Sequence, residues 1–360
     1  MNLIKNLDNE LLKKLGFIVG GILVALIIFL IIFFVMGNKL NYSQMENRIL
    51  NAAKKYYKEN PKELPINNNG VVSISSDKLV EKEYLKDLAK LSKNKKETCT
   101  GNVTVTKNDD LYYYSVTLSC GNSYETKKLK DVIAANVVES GAGLYKYNDT
   151  FVFRGEDVNN YISFADKTWR ILRINADGSI RMVETTKKQP TPWDDRYNSD
   201  KQYNIGINDY SVSRIKDYID NAYDDLKNSD KVYTIKQNLC VGKRSKGETI
   251  NDGSIECSST INDQNVGLVQ INEFALASIS DKCVNPLDPD CTNYNYLAKI
   301  GSLWTITADK DTSYKAYRFS GNATVTNTVN YYQARMVVHI NSQVNYVSGD
   351  GSIDKPYKFN

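Results

Sequence analysis

The stretch LGFIVGGILVALIIFLIIFFVMG, residues Leu15–Gly37, carries no charge and is almost entirely apolar. Its 23 residues would extend about 34 Å as a helix, enough to cross the roughly 30 Å hydrocarbon core of a bilayer. The run is longer than the apolar core of a secretory signal peptide, about 7–15 residues, and no small-residue cleavage site follows it. The sequence therefore predicts an uncleaved transmembrane anchor that contacts the lipid bilayer.

The cysteines indicate which side of the membrane holds the long polar part of the chain. All six follow the anchor and fall into three close sequential pairs: Cys99 with Cys120, Cys240 with Cys257, and Cys283 with Cys291. Such pairs are typical of disulfides, which form in oxidising surroundings outside the cytosol. We therefore predict a single-pass cell-membrane protein with a cytoplasmic tail at 1–14, an anchor at 15–37 and extracellular domains after it.

Charge and ligand-forming residues exclude several classes of function. The net charge is only +4 over 360 residues, which argues against dedicated nucleic-acid binding. The sequence has no Cys-x-x-Cys motif and a single histidine, His339, too few ligands for histidine-based metal chemistry. We predict no cofactor, no metal and no nucleic-acid partner.

Residues 38–60 have the pattern of an amphipathic helix. Apolar side chains recur there at steps of three and four residues, which places them on one helical face. Ser43 with Glu46 fits a capping box, and Pro61 ends the helix because proline lacks a backbone N–H. The helix is predicted to act as a stalk or to pack in a small domain.

Residues 100–126 predict a β-hairpin with a polar tip. The register that places Val103 opposite Val116 also places Cys99 opposite Cys120, and all four side chains share one face because strand residues alternate. Directly opposed cysteines in an antiparallel pair are within the Cα separation that a disulfide allows, about 4.4–6.8 Å. This hairpin is therefore predicted to contain a Cys99–Cys120 bridge.

A second hairpin is predicted over 168–184. Its three-residue loop, 176–178, has Gly178 at the position that favours left-handed backbone. The resulting register pairs Ile174 with Ile180, Leu172 with Met182, and Arg170 with Glu184. Because both faces are apolar at the strand centres, we expect an interior strand pair.

The rest of the chain completes an α+β pattern of short mixed strands with few helices. The predicted elements are a helix over 211–227, a buried strand over 266–271, a short helix over 273–278, and late strands over 303–308 and 332–340. We predict a small α+β domain with a stalk helix at 38–139, a linker at 140–150 and a larger α+β surface domain at 151–360.

The first region carries a recognisable series of motifs. Lys13-Lys14-Leu15-Gly16-Phe17 leads into an apolar helix that continues to 52–57, and Leu64-Pro65 and the cysteine hairpin come after it. Through this series, residues 13–129 resemble type IV pilins and pseudopilins. Those proteins carry glutamate at the fifth position after the processing glycine, where this chain has Gly21. The resemblance therefore implies a pilin-like α+β domain on a permanent anchor.

The second region carries a set of short motifs. They are Thr168-Trp169-Arg170-Ile171, Ser213 before a helix, Val266-Gly267-Leu268-Val269 with Glu273, Trp304-Thr305-Ile306-Thr307, Arg335-Met336-Val337-Val338, and Gly349-Asp350-Gly351-Ser352 with Lys355-Pro356-Tyr357. Through this set, residues 144–360 resemble an uncharacterised family of bacterial surface domains, from Gram-positive or cell-wall-less species. The looped layout also resembles C-type lectin-like domains. The resemblance implies a bacterial cell-surface protein.

Two loops contain the residues that we predict to bind a ligand. The first has Trp193, Asp194, Asp195 and Tyr197, which combine an aromatic face with carboxylates, as sugar sites do. Its alternatives are a polar loop or, for Trp193, a core residue. The second has Asp288, Asp290 and Asn293, whose alternating oxygens suit calcium but equally fit a disulfide-locked turn.

No group of residues predicts catalysis. A Ser-His-Asp system would depend on His339, which lies in a strand pattern. A glycosidase needs carboxylates about 5–9.5 Å apart across the bond, whereas neighbours such as Asp194 and Asp195 point apart on an extended chain. We predict a non-catalytic binding or adhesion protein that recognises a glycan, a cell-wall polymer or a surface protein. A pilin-like envelope assembly component is the first alternative, and an extracellular hydrolase the second.

Overall fold

The structure is a computed structural model that describes residues 39–93 and 97–360, together with Val19, Ile22 and Leu26. The predicted tail at 1–14 and, apart from those three positions, the predicted anchor at 15–37 lie outside the described residues. Within the described part of the chain, no helix is both long and apolar enough to cross a membrane. The predicted α+β class is confirmed, with many short strands and few helices.

The described residues form two compact units. The first contains the described residues up to Glu59 together with those of Ile74–Val103 and Val116–Glu125, and the second contains Asn60–Ser73, Thr104–Ser115 and Thr126–Asn360. The helices are α1 (Tyr42–Glu59), α2 (Ser76–Glu81), α3 (Leu88–Leu91), α4 (Leu129–Ala134), α5 (Arg214–Asp224), α6 (Asn228–Lys231) and α7 (Ile271–Leu276). Short 3-10 helices cover Pro61–Glu63, Tyr210–Val212, Glu256–Ser258, Pro289–Thr292 and Tyr296–Lys299.

The strands are short throughout. They are β1 (Val71–Ser75), β2 (Cys99–Asn108), β3 (Leu111–Cys120), β4 (Tyr124–Glu125), β5 (Gly143–Tyr147), β6 (Thr150–Arg154), β7 (Tyr161–Phe164), β8 (Lys167–Ile174), β9 (Ile180–Glu184), β10 (Pro190–Pro192), β11 (Tyr197–Asn198), β12 (Tyr203–Asn204), β13 (Gln237–Cys240), β14 (Thr260–Gln264), β15 (Leu303–Ala308), β16 (Lys315–Ser320), β17 (Asn322–Asn327), β18 (Tyr331–Gln333), β19 (Val337–Ile340), β20 (Tyr346–Ser348) and β21 (Lys358–Phe359). Strands β1 to β4 form a sheet in that order.

In the first unit, α1 packs its apolar stripe on the sheet. Ile49 reaches β2 at Gly101, where a Cβ would lie only 2.7 Å from the Ile49 Cδ1 atom. The predicted capping box is wrong by two residues, because Asn41 caps α1 by exchanging hydrogen bonds of 2.8 and 3.0 Å with Gln44. Glu46 instead accepts a hydrogen bond from Tyr124 on β4. Pro61 ends the helix region, as predicted.

All three predicted disulfides are present. They join Cys99 to Cys120, Cys240 to Cys257, and Cys283 to Cys291. Among the described residues, the one group with metal-ligand spacing is Glu97 with Cys99 and Cys120. Because both sulfurs are in a disulfide, they offer no thiolate to a metal.

The second unit contains two larger sheets. A six-stranded sheet has the order β19-β9-β8-β6-β5, with β7 also paired to β8, and a five-stranded sheet has the order β10-β18-β15-β16-β17. Their side chains contribute to one hydrophobic core that includes Trp169, Trp193 and Trp304, all fully buried. The β8–β9 pair is interior, as predicted, because each strand has a neighbour on both sides.

The predicted register of β8 and β9 is correct at the turn and wrong beyond it. Ile174 pairs with Ile180, and Gly178 has a φ of 78°, both as expected. A β-bulge at Leu172 then shifts the pairing by one residue, so that Arg170 lies opposite Val183 instead of Glu184. Neither periodicity nor turn length reveals such an extra residue in a strand.

Two of the other predicted strands differ from those observed. Residues 266–271 are largely buried but irregular, with a single bridge between Gly267 and Val337, because they lead directly into α7. The predicted strand over 332–340 divides into β18 and β19, which belong to different sheets. The strand over 303–308 and the helix that follows Ser213 are confirmed, and Ser213 is the residue that caps α5.

Candidate ligand-binding site

The loop at Trp193 does not offer the aromatic face that the sequence predicted. Trp193 is fully buried, its indole Nε1 donates a 3.0 Å hydrogen bond to the Thr305 carbonyl, and its ring packs against Tyr210. Asp194 is equally buried, and its carboxylate accepts a 2.8 Å hydrogen bond from Arg196 Nε. The expected exposure is therefore wrong for both residues, because the core extends under this loop.

The other two predicted residues of this loop reach its surface. Asp195 is ion-paired with Arg214 at 2.7 Å, and Tyr197 is more than half exposed on β11. For these two residues, contact with a ligand stays a prediction.

The second predicted loop is held by its own side chains. The Asp288 carboxylate accepts a 2.8 Å hydrogen bond from the Asn285 backbone N–H, and Asp290 accepts one of 2.9 Å from Asn293 Nδ2. Together with the Cys283–Cys291 bridge, these bonds give the loop the character of a locked turn. Among the described residues, no hydrogen bond or ion pair joins this loop to 193–197, so the two sets are not assembled into one polar site.

A different set of residues lines a cavity of the size that ligands occupy. This cavity, the arginine cleft, has a volume of about 710 Å³, within the roughly 300–1,000 Å³ typical of ligand sites. Its lining includes Tyr161, Arg170, Lys187, Lys299, Ile300 and Arg335, together with the carboxylates of Glu156 and Asp157. Residues far apart in the sequence therefore meet here on the second unit.

Arg170 is held rigidly in the cleft by its neighbours. Its Nε donates a 2.7 Å hydrogen bond to Asn160 Oδ1, and its Nη2 donates one of 3.3 Å to the Val158 carbonyl. The guanidinium carbon also lies 4.3 Å from the Tyr161 ring centroid and 4.6 Å from that of Tyr296. These neutral acceptors and cation–π contacts fix the position of the cation without cancelling its charge.

Arg335 lies in the segment between β18 and β19 and is only 2% exposed. Its Nε and Nη2 donate hydrogen bonds of 3.3 and 3.0 Å to Gln333 Oε1, a neutral acceptor. Among the residues that the structure describes, no carboxylate oxygen lies within 4.0 Å of either cleft guanidinium. Burial lowers the pKa of both Arg335 and Arg170 from the ordinary arginine value, which reflects the cost of desolvating each cation.

Two acidic groups in or near the cleft are ion-paired with lysines. Glu184, fully buried, is ion-paired with Lys167 at 2.8 Å and with Lys188 at 3.2 Å. Glu156 is ion-paired with Lys299. The lining has four cations, Arg170, Lys187, Lys299 and Arg335, against the two carboxylates of Glu156 and Asp157. This excess of positive charge favours an anionic ligand.

Comparison with known proteins does not assign this arrangement. No family model, curated protein or solved structure matches the chain. The chemistry of the cleft must therefore be inferred from its own geometry and charge.

A second group of buried charges lies on the sheet next to α7. Arg181 on β9 donates hydrogen bonds of 2.6 and 3.0 Å to the two carboxylate oxygens of Glu273. Burial alone would raise the pKa of Glu273, but Arg181 and Arg173 outweigh it and hold that pKa below the ordinary value. His339 contacts Arg181 at 3.3 Å, and burial, with the two arginines, lowers its pKa well below 6.5. The charges and hydrogen-bonding atoms of this group are paired with one another, so the group does not indicate a ligand site.

Both arginines of the cleft lie in sequence motifs that were not among the predicted ligand-binding residues. Arg170 belongs to Thr168-Trp169-Arg170-Ile171 and Arg335 to Arg335-Met336-Val337-Val338, two motifs that carry the surface-domain resemblance. Arg170 lies on β8 and Arg335 lies just before β19, and each has buried apolar residues as its neighbours in the sequence. An arginine among buried apolar residues needs a hydrogen-bonding or charged partner. If the two motifs were expected to lie close together, their arginines would have indicated one shared site.

Proposed function

We propose that this chain is a surface-anchored, non-catalytic binding protein whose second unit binds an anionic ligand in the arginine cleft. The observation that carries the proposal is Arg335, a nearly fully buried guanidinium that lines the cleft and donates its hydrogen bonds to a neutral acceptor. A glycan, a cell-wall polymer or a surface protein could supply the anion.

The energetics of buried charge support this proposal. Burying an ion without a counter-ion is costly, whereas an arginine fork binds carboxylate or phosphate through short, charge-assisted hydrogen bonds. Arg170 adds a second cation whose geometry is fixed before binding, which lowers the entropy lost on association. Both arginines therefore support an anion as the ligand of the cleft.

We expect inorganic phosphate and citrate to raise the thermal unfolding midpoint of the full-length chain in detergent at constant ionic strength. A ligand at a hundred times its Kd stabilises the native state by about 2.7 kcal/mol. In Arg335→Gln this stabilisation should be largely lost, because the variant keeps a polar side chain but has neither the positive charge nor the guanidinium fork.

Arg48→Gln provides the matched control. It removes the same charge from an exposed position on α1 in the first unit, so it should keep the full anion effect. Equal stabilisation of wild type and Arg335→Gln would contradict the proposed site, as would loss of the effect in Arg48→Gln.

The proposed location of the protein rests on the uncharged run at 15–37 and on the three disulfides. We expect protease treatment of intact cells to remove the second unit, and amino-terminal sequencing to find the tail at 1–14 still attached. An ectodomain protected until the cells are lysed would contradict this placement.

A second candidate function is envelope assembly of the pilin type. It is favoured by the first unit, where α1 packs on a sheet whose strands β2 and β3 are joined by a disulfide. The same sequencing experiment separates the two candidates, since a mature form that starts at Phe17 would favour assembly over permanent anchoring.

A further inference from the structure

A second cavity adjoins the arginine cleft. It has a volume of about 450 Å³ and shares Asp157 and Asn159 with the cleft. Its apolar lining includes Ile133, Leu144 and Phe153, all buried. We call this cavity the apolar chamber.

The turn Gly349-Asp350-Gly351-Ser352 forms a wall common to both cavities. Gly351 has a φ of 80°, and a Cβ there would lie 2.3 Å from the Asn159 carbonyl oxygen. Asp350 accepts hydrogen bonds of 3.0 and 2.6 Å from the Ser352 backbone N–H and hydroxyl. The turn therefore needs glycine at 351 because its backbone lies so close to that of Asn159. It places the Asp350 carboxylate at the chamber.

The two cavities differ in charge. The cleft is lined by the cations Arg170 and Arg335, whereas the chamber lining has no cation among the described residues. The chamber has the Asp350 carboxylate above an apolar floor, and Asp157 lies where the two cavities meet. A ligand that spans both cavities can place a negative group in the cleft, but a second one in the chamber would meet like charge. This asymmetry disfavours a polyanion.

We propose that the ligand is the carboxyl-terminal segment of a peptide, with its terminal carboxylate at Arg335 and its preceding residues in the apolar chamber. This inference rests on the proposed function and narrows its ligand class. A peptide end carries a single carboxylate that an arginine fork matches, joined to side chains that the buried floor can accept.

Amide groups in the chamber favour a peptide over a fatty acid. Asn136 and Asn159 both line it, and the Asn136 side chain uses its Nδ2 to cap the Val132 carbonyl at 2.9 Å. Both residues are exposed. A peptide backbone that covers the Asn159 amide and the Asn136 Oδ1 atom can replace their hydrogen bonds to water, whereas an acyl chain would displace that water without replacing the bonds.

The test is affinity selection with the full-length chain in detergent. The probes are a degenerate pentapeptide pool with free carboxyl termini, the same pool with amidated termini, laurate and polyphosphate. We expect the free-carboxyl pool to be retained about tenfold to a hundredfold better than the amidated pool, the effect of losing one charge-assisted pair. Arg335→Gln should remove this preference and Arg48→Gln should keep it.

A chamber variant separates this inference from the proposed function. Asn136 is exposed and lines only the chamber, so Asn136→Phe should fill it, reduce peptide retention about tenfold or more and leave protection by inorganic phosphate unchanged. Equal retention of the amidated pool, or stronger retention of polyphosphate or laurate, would overturn the peptide assignment. The proposed anion site would still stand if inorganic phosphate raised the thermal unfolding midpoint. Absence of phosphate protection as well would overturn both.

Discussion

Trp193→Ala is expected to lower the free energy of unfolding by about 3–5 kcal/mol, the range for truncating a large buried aromatic side chain. The indole is completely buried, packs against Tyr210 and donates a hydrogen bond to the Thr305 carbonyl. Its removal leaves both a cavity and an unpaired carbonyl on β15. At about 2–4 °C per kcal/mol for a domain of this size, the melting temperature should fall by about 6–20 °C in a calorimetric or circular dichroism measurement.

Tyr197→Ala is the matched control for Trp193. It removes another aromatic side chain from the same loop, but one that is 57% exposed, so its effect on stability should stay within about 0.5 kcal/mol. A Trp193→Ala variant that melts like wild type would contradict its role in the core and return the loop to consideration as an aromatic binding face.

Glu273→Gln is expected to cost about 3–5 kcal/mol, because breaking a buried ion pair leaves an uncompensated charge in the core. Glu273 accepts two hydrogen bonds from Arg181, whose own exposure is negligible, and has Arg173 at 3.9 Å. Asp220→Asn is the control, since its pair with Lys216 is partly exposed and should contribute only about 0–1 kcal/mol.

The pH dependence of unfolding provides a second measurement for Glu273. Its pKa is lower in the folded than in the unfolded chain, so the stabilisation is complete above the unfolded value of about 4.3 and is lost as pH falls through the folded pKa. The difference between wild type and Glu273→Gln, measured by denaturant titration, should therefore narrow below about pH 4.3. A constant difference down to lower pH would show that the variant disrupts packing instead of the ion pair.

The parts of the fold that the sequence predicted are those set by local rules. The Cys99–Cys120 bridge followed from strand alternation, the Gly178 turn from its loop length, and the start of α5 from the Ser213 cap. Each depends on residues close together in the chain. For the same reason, each of these features could be predicted without knowledge of the tertiary contacts around it.

The features that escaped prediction depend on contacts between distant segments. Nothing near Trp193 in the sequence indicates that the core extends beneath it, since its partners Tyr210 and Thr305 come from later segments. The arginine cleft likewise joins β8, the segment after β18 and the 3-10 helix at 296–299. Single-residue irregularities such as the bulge at Leu172 leave no mark in apolar periodicity, because both faces of β8 are buried.

The bulge at Leu172 determines which residue faces Arg170, one of the cations of the cleft. In an unbroken ladder Arg170 would stand opposite Glu184, within reach of a cross-strand salt bridge; with one residue looped out it stands opposite Val183 on the other face of the sheet, and Glu184 pairs with two lysines instead. The number of residues between Arg170 and the turn, odd or even, thus decides which face of the sheet holds the guanidinium. On one face it would pair with Glu184, and on the other it has no carboxylate directly opposite. A change in strand length, with every charged residue retained, would therefore be sufficient to separate Arg170 from Glu184 and leave its charge available to the anion that we propose.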